Sequence, residues 1–239
     1  MPLRPFRAPH PAPPALVTLV AAISLAIAAS PPLAAPARAG TPLLPSIRGG
    51  LHPTKPSVLR EIGISAALLG TAFALDHQVK PGWTDPGAGR PFEESGEAFG
   101  GATLLVGSTL ALGAEGHVFH HPSAFRTAKE LVWAGAGATI AVTALKETVR
   151  RERPDGSDRL SFPSGHTTAA FAAATVIARE QGGVWGWLAY GAAATAGYAR
   201  IADRHHYLSD VVAGAILGRL IGRLVTHGDR AAADAPSAP

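Results

Sequence analysis

The sequence predicts an all-α fold, a single bundle of about six core helices. Hydrophobic residues make up 47% of the 239 residues and charged residues only 16%, so most of the chain can fold around an apolar core. Six apolar stretches contain no charged side chain, and Ala, Leu and Gly predominate in them over β-branched residues, which favours helices over strands. These stretches are 62–75, 98–114, 131–145, 167–178, 181–199 and 211–218.

The composition also excludes several classes of protein. The chain has no cysteine, which rules out disulfide scaffolds, cysteine-based zinc sites and a cysteine nucleophile. The net charge of +4 arises from 21 basic and 17 acidic residues without a dense basic stripe. We therefore expect no nucleic acid partner.

The beginning of the chain has the layout of a secretory signal peptide. A basic start that includes Arg4 precedes an uncharged run at 15–29, and Ala37 and Ala39 place small residues at the two positions that signal peptidase reads. We expect cleavage after Ala39 and an exported chain, which in a bacterium means the periplasm or the cell envelope. An uncleaved membrane anchor is the alternative, although the run at 15–29 is short for a span.

Composition divides the chain into four segments. The segment 40–57 holds four prolines and two adjacent glycines, which predicts a flexible tether. The last residues are rich in Ala, Pro and charge, so we expect them to be disordered. The predicted domains are a signal peptide at 1–39, the tether at 40–57, a helical domain at 58–226 and a disordered tail at 227–239.

Whether the bundle spans a membrane is left open by the sequence. A span needs about 20 apolar residues, and five of the six stretches are shorter than about 18. Arg219 and Arg223 lie four residues apart and share a helix face, which indicates a surface toward water or lipid headgroups, or a snorkelling helix end. Abundant Gly and Ala, by contrast, permit the close helix packing found in membranes. The lengths favour an exported bundle that is soluble or membrane-associated over one that spans fully.

Three clusters of polar residues carry the chemistry, and the first lies at a helix end. Lys146 and Arg153 are seven residues apart, two helical turns, and share a face if the helix persists. Pro154 marks the end of that helix. Two cations therefore project from one helix terminus, and at least one of Arg150 and Arg151 must point elsewhere.

The second cluster is the start of a helix. Ser164 is a suitable N-cap, and Gly165 allows the backbone to approach a ligand closely. The N–H groups of the first turn and the helix dipole favour an anion at this position. His166 lies close enough to protonate the leaving group of such an anion.

The third cluster contains a second histidine. His206 and Asp210 are four residues apart on an expected helix face. A carboxylate that accepts a hydrogen bond from one ring nitrogen fixes the imidazole tautomer and leaves the other nitrogen free to attack. Arg200 adds a planar, bidentate donor suited to phosphate. Three permanent cations, a helix N-terminus and two histidines together predict metal-free phosphoryl transfer.

In this order and with these gaps, the clusters resemble the three-part signature of the type 2 phosphatidic acid phosphatase family. That family shares its site with vanadium haloperoxidases and bacterial class A acid phosphatases. The motifs are K-x6-R-P at 146–154, P-S-G-H at 163–166 and R-x5-H-x3-D at 200–210. Ala199 departs from the family, which often has Ser before the arginine. The resemblance implies the helical bundle of the phosphatidic acid phosphatase and haloperoxidase type.

The resemblance also implies a role for each motif residue. The residues expected to bind phosphate are Lys146, Arg153, Ser164, Gly165 and Arg200. His166 would be the general acid for the leaving alkoxide, and His206 would be the nucleophile, oriented by Asp210. His205 makes the nucleophile ambiguous by eye, but the family gap and the partner at Asp210 both select His206.

The predicted function is a metal-independent phosphatase that hydrolyses a phosphate monoester or diphosphate through a phosphohistidine on His206, without a cofactor. A lipid phosphate is the favoured substrate because the surrounding helices are apolar, and the site is expected to face the periplasm. Two alternatives remain: a periplasmic acid phosphatase with a soluble substrate, and a haloperoxidase in which the same cations hold vanadate as cofactor. An envelope protein with a degenerate site is a third, non-enzymatic hypothesis.

Other polar residues are interpreted as structural. His117, His120 and His121 invite a zinc site, but no acidic or cysteine partner has convincing spacing, so we expect a solvated turn. Asp76 and His77 are interpreted as connection residues.

Overall fold

The computed structural model describes residues 56–79 and 101–233, and in these segments the chain is helical with no strands. The prediction of an all-α fold is confirmed. The helices are α1 Pro56–Leu75, α2 Gly101–Val118, α3 Pro122–Val149, α4 Gly165–Glu180, α5 Gly183–Ala202 and α6 Leu208–Ala233. Each of the six predicted apolar stretches overlaps one of them.

Only part of the predicted terminal segments lies within the described residues. The signal peptide at 1–39 and most of the tether at 40–57 lie outside the described residues, and α1 begins at Pro56, two residues before the predicted boundary. At the other end α6 continues past 226 to Ala233. The final residues of α6 are three alanines, the strongest helix formers, and Pro236 follows them. Residues 234–239 of the predicted tail lie outside the described residues.

Helix α4 occupies the centre of the bundle. It packs against α2, α3, α5 and α6, and every residue from Ala170 to Val176 is buried. Most of these residues are alanine, so neighbouring helices can approach closely on several sides. The consequence is that the start of α4 is fixed by surrounding helices rather than by one neighbour.

A stripe of glycines on α6 sets its distance from α4. Gly214, Gly218 and Gly222 recur every four residues and so lie on one helix face. A Cβ at Gly218 would stand 2.2 Å from the carbonyl oxygen of Thr168, and one at Gly222 would stand 2.7 Å from that of Ala172. The two backbones therefore approach to a distance that no side chain permits.

Helix α1 lies at the edge of the bundle, packed on α6. Within the described segments, Val58–Leu75 is the one helical stretch whose length and composition suffice to cross a membrane, and only 6% of that stretch is buried. Arg219 and Arg223 do not form the free cationic surface that their spacing indicated. Both side chains pair with the carboxylate of Glu61 on α1, because α1 covers this face of α6.

We expect Gly218→Ala to destabilise the fold. The added methyl group meets the backbone of α4, which must shift, at a cost of about 1–3 kcal/mol. Gly191→Ala is the matched control, because Gly191 is also helical but a Cβ there meets nothing within 4 Å. The control should be neutral or stabilising by up to about 1 kcal/mol. Denaturant unfolding followed by circular dichroism measures both, and equal stability of the two variants would contradict the close α4–α6 packing.

Candidate active site

The three motifs meet at one end of the bundle. Helices α3 and α5 end there, and α4 and α6 begin there, because the four helices alternate in direction. The connection at 150–164 and the connection at 203–207 complete this end. Residues far apart in the sequence are therefore gathered around one cavity.

The cavity has a volume of about 600 Å³. It is lined by six of the eight predicted site residues, namely Lys146, Arg153, Gly165, His166, Arg200 and His206. Asp210 lies behind His206 and is fully buried. His205 also lines the cavity.

Each of the three cations contacts an acceptor of the protein. Lys146 donates to the carbonyl oxygen of Leu160, and Arg153 Nε donates to Asp158 Oδ1 at 2.8 Å. Arg200 is buried, and its Nη2 lies 2.7 Å from Asp203 Oδ2. These contacts fix the side chains before any anion arrives.

Two features of the cations favour an anion. Arg200 Nε is buried without a hydrogen-bond partner, and an unsatisfied buried donor is costly unless a ligand supplies the acceptor. Burial and the nearby charge of Arg153 lower the pKa of Lys146, against the raising effect of Asp158 and Asp210. A bound anion would favour the charged lysine and relieve the repulsion between the two cations.

The N-terminus of α4 differs in one respect from the prediction. Ser164 does cap the helix, accepting hydrogen bonds from the Thr167 N–H at 3.4 Å and the Thr167 hydroxyl at 2.9 Å. We expected Ser164 to line the anion site as well. In the structure Ser164 is fully buried and is not among the residues that line the cavity, and its own N–H donates to the carbonyl oxygen of Asp210. Gly165 and His166 line the cavity in its place.

His206 faces the cavity with its ring almost fully buried. Its Nδ1 lies 3.7 Å from Asp210 Oδ2, longer than a hydrogen bond but within ion-pair range. Burial lowers the pKa of His206; the charge of Asp210 partly offsets this, and Lys146 and Arg153 lower the pKa further. The ring is therefore neutral near pH 7, the protonation state that a nucleophilic imidazole requires.

The neighbouring His205 occupies a different environment. Its side chain is 44% exposed, and its Nε2 lies 3.9 Å from Asp155 Oδ2. Of the two histidines, His206 is the one beside Asp210. A turn links His206 to Arg200, since the His206 N–H donates to the carbonyl oxygen of Arg200 at 3.1 Å.

Asp210 is surrounded by donors. Its Oδ2 accepts from the Ser161 hydroxyl at 2.5 Å and from the Tyr207 N–H at 2.9 Å, and its Oδ1 accepts from Arg151 Nη1 at 2.7 Å. Burial raises the pKa of Asp210, but interactions with His206 and with these donors outweigh burial and hold the pKa below its ordinary value. The carboxylate is ionised and can stabilise a positive charge on His206.

Sequence reasoning missed two residues behind the site. Arg150 ends α3 in a left-handed conformation, with φ 48°, and its exposed guanidinium pairs with Glu147. That conformation turns Arg151 inward, toward Asp210 and Asp76. The sequence signal for Arg151 was its adjacency to Arg150, because at least one of the two must point away from the cations at the helix end. Asp76 was interpreted as a connection residue, yet it is buried, with only 7% of its surface exposed. No spacing in the sequence indicates this burial.

His117 lies in the last turn of α2, and His120 and His121 lie in the connection to α3. His121 Nδ1 lies 3.2 Å from Glu115 Oε1, and both side chains are about half exposed. Within 56–79 and 101–233, no group of three or more His, Asp or Glu side chains converges as metal ligands would.

Comparison with known proteins supports the resemblance read from the motifs. Residues 127–233 match the family model described as PAP2 superfamily. Over 86 residues the chain is 43% identical to lipid A 1-phosphatase of Porphyromonas gingivalis, covering 35% of this chain and 19% of the relative. Over 112 residues it is 36% identical to decaprenylphosphoryl-5-phosphoribose phosphatase of Mycobacterium tuberculosis, covering 42% of this chain and 62% of the relative. The alignments thus span less than two thirds of either relative, and no solved structure gives a significant match.

We expect the ring of His206 to titrate below 6.5, the ordinary pKa of histidine, because burial and the cations disfavour the imidazolium. Asp210→Asn should lower the pKa of His206 further, since it removes the charge that favours protonation. NMR titration of the histidine rings measures both values. A pKa for His206 at or above 6.5, or an upward shift in Asp210→Asn, would contradict the electrostatic description of the site.

Proposed function

With the PAP2 superfamily match of residues 127–233 as the premise, we propose that the chain is a metal-independent phosphatase that hydrolyses a phosphate monoester or a diphosphate. The observation that carries the proposal is the convergence of Lys146, Arg153, Arg200 and His206 on one cavity. The cations match the charge of a phosphoryl group, and the neutral imidazole supplies a nucleophile at the same place. The chain is accordingly proposed to be a phosphoric ester hydrolase.

The reaction proceeds in two displacements. His206 attacks phosphorus through Nε2, because Nδ1 faces Asp210, and a phosphorus–nitrogen bond forms as the bond to the leaving oxygen breaks. His166 donates a proton to that oxygen. His166 then accepts a proton from water, which attacks phosphorus, breaks the phosphohistidine bond and releases phosphate. Asp210 stabilises the charge on the imidazole, and the cations stabilise the phosphoryl oxygens in both steps.

The shape of the cavity favours a substrate with an apolar tail. Beyond the cations it continues between α2, α3 and α4 past Val142, Ala138 and Leu105. It reaches Gly135, eleven residues before Lys146, which is about 16 Å along the axis of α3. A chain of several methylene groups gains free energy by leaving water for such a groove. We propose that the substrate is a lipid phosphate, a class to which the relatives' names, with lipid A and decaprenylphosphoryl, also point.

The surface supports a place at a membrane. Large apolar side chains are exposed along α1 and at the start of α5. The two exposed tryptophans of α5 are Trp185, 63% exposed, and Trp187, 56% exposed. Tryptophan is enriched at membrane–water interfaces. We propose that the protein is exported to the cell envelope and is membrane-associated, with the cavity facing the periplasm.

His206→Ala should lower kcat by at least about 10³-fold, because it removes the nucleophile. His205→Ala should retain kcat within about tenfold, since that ring is not paired with Asp210. The measurement is phosphate release from phosphatidate, a polyprenyl diphosphate, phosphatidylglycerophosphate and a soluble ester, together with acid-quench trapping of a phosphoenzyme.

Further arms of the same assay separate the alternatives. Full turnover by His206→Ala would remove the nucleophile from the mechanism, and strong loss with a chelator would contradict a metal-independent reaction. Vanadate should inhibit competitively because it mimics five-coordinate phosphorus. Halide oxidation that appears only with vanadate and peroxide would instead favour the haloperoxidase.

Thr139→Phe should raise KM for a long-chain lipid phosphate severalfold and leave KM for a short soluble ester unchanged, because the ring would fill the groove away from the cations. Ile140→Phe is the control: it enlarges the next residue on α3, which is 71% exposed and does not line the cavity. Equal effects on both substrates in Thr139→Phe would remove the groove from the substrate-binding site.

A further inference from the structure

Arg151 connects two buried carboxylates directly behind the catalytic histidine. Its Nη1 donates to Asp210 Oδ1 at 2.7 Å, and its Nη2 donates to Asp76 Oδ2 at 2.8 Å. The two acceptors are 134 residues apart in the sequence, one at the end of α1 and one in the first turn of α6. A planar guanidinium is suited to this bridge because its donors have a fixed relative geometry.

Asp76 has no other counter-cation in the described ion pairs, and it also holds the start of α6. Its Oδ1 accepts from the Ser209 N–H at 2.9 Å, and its Oδ2 accepts from the Ser209 hydroxyl at 2.5 Å. Ser209 in turn accepts from Arg151 Nη1 at 2.6 Å. Asp76, Ser209 and Arg151 thus form a closed network next to Asp210.

The guanidinium of Arg151 also lies over two aromatic rings. The centre of the Arg151 guanidinium lies 4.0 Å from the ring of Tyr207 and 5.3 Å from that of Phe73. A cation over an aromatic ring is attracted by the ring's negative face. The guanidinium is therefore held by hydrogen bonds to two carboxylates and by contacts with two rings.

We propose that Arg151, anchored by Asp76, is a positioning residue that holds the Asp210 carboxylate in the orientation that serves His206. Arg151 occupies Oδ1, which leaves Oδ2 toward the imidazole, 3.7 Å from Nδ1. Without this bridge Oδ1 loses its donor, and the carboxylate is oriented by the Ser161 and Tyr207 donors at Oδ2 alone. The inference rests on the proposed phosphatase function, and it gives Asp76, which directly follows α1, a role in catalysis although no residue of α1 lines the cavity.

The two attachments of α1 provide a matched comparison. Glu61 binds Arg219 and Arg223 at one end of α1, and Asp76 binds Arg151 at the other. Both attachments hold α1 to the rest of the bundle, but only the second reaches Asp210. A role in stability alone would make the two attachments equivalent in their effect on catalysis.

The test compares four variants of the full chain. Arg151→Ala and Asp76→Asn should lower kcat about 10- to 100-fold, the range typical of residues that orient a catalytic group through another residue. KM and the inhibition constant of inorganic phosphate should change less than about threefold, since the three cations of the cavity are untouched. Arg150→Ala, an exposed neighbour, and Glu61→Gln, at the other attachment, should keep the wild-type kcat.

Arg151→Lys keeps a charge but cannot bridge both carboxylates, so it should recover only part of kcat. If Arg151→Ala fails to fold by circular dichroism, Arg151→Lys and Asp76→Asn carry the test. Wild-type kcat in Asp76→Asn and Arg151→Lys, or an equal loss in Glu61→Gln, would overturn the inference.

The ring resonances of His206 separate this inference from the proposed function. Arg151→Ala, or Arg151→Lys if the alanine variant does not fold, should change the NMR resonances of the His206 ring, whereas Arg150→Ala should not. A wild-type protein inactive on every phosphate ester would overturn the proposed function, and the resonances would still decide whether Arg151 positions Asp210. Unchanged resonances in the Arg151 variants would overturn the positioning role.

Discussion

The fully buried carboxylate of Asp210 is the constraint on which the rest of this end of the bundle depends. An ionised group without water costs several kcal/mol unless donors and a counter-charge surround it. The donors come from two connections: Arg151 and Ser161 from the connection between α3 and α4, and Tyr207 from the turn before α6. Satisfying one charge therefore brings together segments that helix packing alone would leave loosely related.

The close packing of α6 on α4 determines how near the polar groups at this end of the bundle lie to one another. The glycine stripe on α6 brings its backbone against that of α4, and the carbonyl oxygen of Asp210 accepts from the Ser164 N–H as a result. Gly165 and His166 follow Ser164 directly, so their place at the cavity is set from α6. Small residues in the core thus determine the geometry of polar residues at its end.

The sequence predicted the helices and most of the cavity, because both follow from local patterns. Apolar stretches without charge define α1 to α6, and the motif spacings selected Lys146, Arg153 and Arg200. What escaped prediction depends on contacts between distant segments. The burial of Asp76 requires Ser209 beside it, and the choice between Arg150 and Arg151 depends on one left-handed residue at a helix end. The motif spacing also selected Ser164, which caps α4 but does not line the cavity, a placement that depends on the packing of α4 against α6.

The hydrogen bond from the His206 N–H to the carbonyl oxygen of Arg200 has a mechanical consequence. It closes a seven-residue turn, so the ring proposed to attack and one cation proposed to bind phosphate form a local unit whose internal spacing does not depend on how the helices sit. Lys146 belongs to another unit, at the end of α3. In the proposed mechanism, a small separation of α3 from this turn would move Lys146 away from the phosphate and keep the spacing between Arg200 and His206. Product release and nucleophile alignment would then depend on different motions of the bundle.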